Sequence, residues 1–346
     1  MIGVFLDKLI FQESSDLTIL YIVSTHVLMF EKILNKFLSL IVLLRHGRMT
    51  PDVRYYYRHT YRCQLTQWKY VLQDYVFRKP YKEIEFQGEF APELEFTIPF
   101  AYWHFKNGTL KSTKGALFTK EMYFFSPHHE EVFDVRTNEG NYNFELPRVL
   151  YSQDYDMAKW LEVPYKEHFK NDVYVYDKPM LMIANRYNME WGGAPISFYS
   201  IEDLDFMISH LKKDYTILYN RPRPQNITND TSDIYELNDY EWLAETHPEV
   251  VLMEDLYKEN KIKARNYNHF QLSVYANCEK FISIHGGTAA LASCFKGSNI
   301  ILSKKGPEHH FGCFKTLFPK LSGATIYHAK TNEEARNFVL KHYVKS

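Results

Sequence analysis

The sequence predicts an α/β protein of two lobes, each built on a mostly parallel sheet, facing one another across a cleft. Three observations carry that expectation. From residue 178 onward short apolar runs alternate with helical patterns. Strands that alternate with helices need crossover connections, which cover a parallel sheet on both faces. A fainter alternation opens the chain, where TILYIV (18–23), a helix around 27–39 and LIVLL (40–44) read as another βαβ start. The length, 346 residues, allows a buried core in each of two domains. The expected division is 1–175 and 176–346, with the link near 171–178.

The second half justifies its elements one by one. PMLMIAN (179–185) is a strand. SIEDLDFMISHLKK (200–213) is a helix, with Ser200 as N-cap and Asp203 completing a capping box. YTILYN (215–220) is a strand stopped by the prolines of RPRP. DYEWLAETHP (239–248) is a helix closed by proline, and VVLMED (250–255) is a strand. Helix 268–278, strand KFISI (280–284), helix TAALASCF (288–295), strands NIILS (299–303) and ATIYHA (324–329), and a closing helix 331–344 complete the series. Between Pro51 and Tyr176 the pattern is broken and rich in Tyr, Phe and Pro. EIEFQGEF and ALFTKEMYFF read there as strand-like pieces, and 147–172 as partly helical.

Composition bounds the partners. A net charge of -1 argues against bulk attraction to nucleic acid or to an anionic membrane, leaving room for a local basic patch, so no nucleic-acid partner is expected. The 27 Tyr and 25 Phe suit stacking on sugars or bases, but they serve cores and strands equally well. Cys63, Cys278, Cys294 and Cys313 show no CxxC or metal-ligand spacing and read as reduced thiols of a cytoplasmic protein. The Asn-x-Thr sequons at Asn107, Asn226 and Asn229 matter only in a secretory setting. LTILYIVSTHVLMF (17–30) falls short of the ~20 apolar residues of a membrane helix and lacks the flanks of a signal peptide. Peripheral membrane contact through the apolar first 45 residues stays open.

The chemistry gathers at strand ends, where open α/β sheets bind ligands. The strand ends carry Arg186, Arg221, His285-Gly286-Gly287-Thr288, and Lys304 to Glu308. Basic residues around a Gly-Gly that opens a helix describe an anion site. The glycines admit a ligand to the backbone, the helix start favours negative charge, and Thr288 adds a hydroxyl. The plainer alternative is a tight strand-to-helix turn.

The stretch YANCEKFISIHGGTAALASCFKGSNIILSKKGPEHHF resembles the donor-binding lobe of GT-B glycosyltransferases, such as those of bacterial polysaccharide loci, over about residues 178–346. The resemblance implies two Rossmann-like lobes and a nucleotide-sugar donor. Gly286, Gly287 and Thr288 would meet its pyrophosphate, Glu308 its ribose or sugar hydroxyls, and His285 would stand beside the transferred sugar. Arg186, Arg221 and Lys304 join the donor set. The donor is a co-substrate, so no cofactor and no metal are expected, and a glycan is the expected acceptor. The first half aligns with no particular transferase family. His46 and Asp52, which follow the LIVLL strand, are the candidate bases.

A different class competes. Histidine phosphatases pair an Arg-His-Gly strand end with a second strand-end histidine, which Arg45-His46-Gly47 and His285 imitate. In the acid-phosphatase pattern RHGxRxP the second arginine would stand where this chain has Met49; Arg48 comes one residue early. No His-Asp or His-Ala-Glu follows His285. A non-catalytic sugar-binding protein is the third reading. Asp203-Leu-Asp205 and Asp154-Tyr-Asp156 have DxD spacing, but the first belongs to a helix's opening turn. His128-His129-Glu130-Glu131 and His309-His310 read as solvated loops.

Overall fold

The computed structural model describes residues 29–137, 159–190, 193–221 and 233–345. The chain divides into two compact units, Met1–Arg62 and Cys63–Ser346. TILYIV, the Asp154-Tyr-Asp156 pair and the sequons at Asn226 and Asn229 lie outside the described residues.

In the first unit, residues 29–46 form one helix, and the helix Pro51–Trp68 contributes its opening turns. LIVLL was expected as a strand; it is helical. The reason is its spacing: Leu38 and Val42 fall four residues apart, both fully buried against Tyr61, with Leu34, Ile41, Met49 and Tyr57 packed around them. The helix ends at Gly47, which takes φ 77° and donates its N–H to the Leu43 carbonyl at 3.0 Å. Arg45-His46-Gly47 is therefore a helix C-terminus. Pro51 opens the next helix and Asp52 stands in its first turn, where a carboxylate complements the dipole.

The second unit holds two parallel sheets that share no strand. The smaller has strands β1 (Lys82–Glu85), β2 (Leu110–Ala116) and β3 (His129–Phe133) in that order, each pair parallel. Of the strand-like pieces, EIEF supplies most of β1. ALFTKEMYFF gives only its first residue to β2 and then turns, burying Met122, Tyr123 and Phe125. The helices Phe90–Pro92 and Ile98–Asn107 flank a π-helical turn, Glu93–Thr97, all of whose residues are buried. Within 147–172, the described part carries a short helix, Tyr165–Phe169. The link near 171–178 is fastened: the Asn277 amide donates to the carbonyls of Asn171 and Tyr174, each at 2.8 Å.

The larger sheet contains β4 (Met180–Ala184), β5 (Thr216–Asn220), β6 (Val251–Leu252), β7 (Lys280–Ile284), β8 (Ser298–Leu302) and β9 (Thr325–Ala329). Its order is β6-β5-β4-β7-β8-β9, every neighbour parallel. Numbered within the sheet, that is 3-2-1-4-5-6, the order of Rossmann folds. Fully buried β4, β7 and β8 interiors explain their continuous apolar runs. The helix Ile201–Leu211 has the expected capping box between Ser200 and Asp203. VVLMED forms only the two-residue β6, because Met253–Glu259 turns into a helix that buries Met253 and Leu256. Two helices after β8, Pro307–Phe311 and Cys313–Lys320, were not legible in the sequence.

Candidate functional site

β4 and β7 are neighbours, and the chain leaves them toward opposite sides of the sheet. The crevice at such a reversal is where open α/β sheets bind ligands. Arg186 follows β4, and His285 and Gly286 follow β7, so topology alone brings them together. Arg186 Nη2 lies 3.4 Å from His285 Nε2 and 3.0 Å from a Glu190 oxygen. Gly286 has φ 86°, and a Cβ there would stand 2.9 Å from Arg186 Nη1. Glycine is needed twice over, for the backbone conformation and for the guanidinium beside it.

His285 is 5% exposed, and burial, followed by the charge of Arg186, pushes its pKa down to about 3. A neutral imidazole results at pH 7, so its 3.8 Å approach to Glu190 is not an ion pair. Glu190 Oε1 accepts the Ser197 amide at 3.0 Å as well as Arg186. Glu190 Oε2, Arg186 Nε and Glu308 Oε2 are buried and have no hydrogen-bond partner among the described residues. Burial raises the Glu308 carboxyl's pKa, its own backbone hydrogen bond and Arg186 lower it, and Glu89 raises it further. Each buried polar atom left unpaired costs about 1–3 kcal/mol, so such a set calls for partners from a ligand or water.

The smaller sheet's side reaches the same turn. Where Gly287 has no side chain, a Cβ would meet Phe90 Cδ1 at 2.8 Å. Phe90 is held from behind: Arg136 stacks 5.5 Å from its ring, donates to the Gly88 carbonyl at 2.8 Å and pairs with Glu93 at 2.7 Å. Tyr123 donates to the other Glu93 oxygen at 2.9 Å. Gly287 is thus a close-packing position against Phe90. Thr288 is half-buried in the first turn of the helix Gly287–Ser293.

Other expected site residues stand elsewhere. Arg221, expected to hold the donor, is 1% exposed and committed to carboxylates. Its Nε and Nη2 donate to Asp239 at 2.7 and 2.6 Å, and Nη2 also meets Glu236 at 2.7 Å. A phosphate would have to displace that pair, so the structure corrects Arg221 to a structural clamp. Lys304 is exposed, with its ammonium 5.9 Å from the Phe198 ring. His46 caps the helix 29–46, with Nε2 2.9 Å from the Tyr61 hydroxyl and its ring stacked 4.2 Å from Tyr57. Asp52 is exposed in a helix's first turn. The strand end that made these two candidate bases does not exist, and with it goes the structural ground for the phosphatase reading.

Sequence reasoning missed Glu190, Phe90, Glu93 and Arg136. Glu190 had a signal, lying four residues after Arg186. Phe90, Glu93 and Arg136 had none, because only the packing of the two sheets brings them near the glycine turn.

No family model matches the sequence, and no curated protein matches it. Among solved structures, the chain is similar to ADP-heptose lps heptosyltransferase II of E. coli at 9% identity and TM-score 0.46, over 75% of this chain and 99% of that one. So slight a likeness carries no argument; the α/β architecture rests on the two parallel sheets and the 3-2-1-4-5-6 order.

Proposed function

We propose that the chain is a glycosyltransferase of GT-B type that binds a nucleotide-sugar at the switch point between β4 and β7. One observation carries the reading. At that point a guanidinium, a neutral histidine and a positive-φ glycine meet buried polar atoms of Arg186, Glu190 and Glu308 that have no partner among the described residues. Arg186 is suited to a diphosphate, and carboxylates are suited to accept from hydroxyls. Transfer would break the bond between the sugar's anomeric carbon and the diphosphate oxygen. A glycan hydroxyl would form the new bond, its proton passing to the departing diphosphate or to water. Arg186 would stabilise the charge that develops on the leaving diphosphate. The neutral His285 would donate or accept a hydrogen bond beside it without adding a charge. Lys304 and Thr288 remain proposed contacts at the rim.

Calorimetric titration with UDP-, GDP-, dTDP- and CMP-linked sugars tests this. Binding of one donor, lost on Arg186→Met and weakened on Glu308→Gln, is the expected result. No binding by any donor, together with a phosphohistidine trapped from a phosphomonoester, would reject transfer in favour of phosphohydrolysis.

A further inference from the structure

We propose that the helix 29–46 of the first unit docks on an anionic lipid bilayer, lying along its surface. This inference does not depend on the proposed transfer activity. One side of the helix is already occupied, by Leu38 and Val42 packed against Tyr61. A second apolar stripe faces away from that contact. Phe30, Ile33, Phe37, Leu40 and Leu44 succeed one another in steps of three and four, which aligns them along one face. All are exposed, from 50% for Leu40 to 78% for Leu44. Scattered exposed leucines need no explanation, but a continuous stripe marks a contact surface.

Charge identifies the occupant. Residues 29–62 carry seven Lys and Arg against two acids, Glu31 and Asp52, a net charge of +5 in a chain whose total is -1. Lys32 and Lys36 are exposed and, at 100° per residue, run along one edge of the stripe. Arg45 and Arg48 are exposed at its end. Glu31, on the other side, is paired with Arg62. An apolar face edged by lysines is the pattern of a helix that lies in the headgroup plane. A second copy of the chain laid on the stripe would bring two such segments, each of net charge +5, face to face. Among the described residues no helix is long and apolar enough to cross a membrane. The geometry is that of a helix lying on the surface.

The test uses the full chain in flotation with phosphatidylcholine vesicles, with and without phosphatidylglycerol. The chain should float with the anionic vesicles, and added salt should weaken this. Phe37→Ser/Leu40→Ser/Leu44→Ser should cut partition by more than about tenfold. Lys32→Glu/Lys36→Glu should cut it by roughly fivefold or more per lysine. None of these residues belongs to the buried contact with Tyr61, so helicity and melting temperature should stay unchanged. No flotation with anionic vesicles overturns the proposal, as does flotation that the triple variant leaves intact. So does a lipid-free dimer that the triple variant dissolves, since the stripe would then belong to a second copy.

Discussion

Replacing Arg221 by methionine separates a structural arginine from a ligand-binding one. The guanidinium is 1% exposed and Asp239 is fully buried, so the substitution strands a carboxylate that keeps the Tyr219 hydroxyl as its strong donor among the described residues. Burial opposes the arginine's charge, yet the hydrogen bonds and charge of Asp239 raise its pKa overall. Breaking a buried pair by removing one partner costs about 3–5 kcal/mol. Glu236 adds little because it is 56% exposed. For a unit of this size, that loss lowers the melting temperature by roughly 5–8 °C. Thermal melts followed by circular dichroism at neutral pH read it directly. Arg221→Met/Asp239→Leu should recover most of the loss, because no charge is then left buried. Arg186→Met should lose nucleotide-sugar binding; it too strands a buried carboxylate, Glu190, so donor affinity and not melting is its readout. A melting temperature within about 2 °C of wild type for Arg221→Met would refute the clamp. Loss of donor affinity at unchanged stability would restore Arg221 to the donor site.

Other outcomes follow from the same geometry. Burial, then the charges of Lys82 and Lys159, pushes the His104 pKa down to about 2, and that of His285 lies at about 3. The unfolded chain therefore binds protons below pH ~6.5 that the folded chain refuses, and stability falls as pH drops toward 3. By pH 5 each histidine should cost about 2 kcal/mol, seen as a lower urea midpoint than at pH 7.5; equal midpoints would contradict it. Gly287→Ala places a methyl 2.8 Å from Phe90 and should destabilise by about 1–3 kcal/mol, with Phe90→Leu relieving part of it. Gly286→Ala strains a residue at φ 86° and crowds Arg186, so calorimetry should show weakened donor binding.

Much of the larger sheet was legible from the sequence. Periodicity located β4, β5, β7, β8 and β9, and the Ser200 capping box fixed a helix start, because these depend on local spacing and local hydrogen bonds. Arg186, His285 and Gly286 could be named as strand-end residues for the same reason. What the sequence could not supply was which face an apolar run buries. LIVLL has a strand's composition, but its partner is Tyr61, and packing on one side at four-residue spacing makes it a helix. Arg221 and Arg186 look alike as arginines one residue past a strand. Asp239 on a distant helix neutralises the first, while the second keeps a buried donor atom with no partner among the described residues. Phe90 reaches Gly287 only because two sheets pack together. Composition and spacing thus determined the strands, the helix starts and the list of chemically able side chains. Only the tertiary structure decided which of those side chains are already paired, because pairing depends on partners far away in the chain.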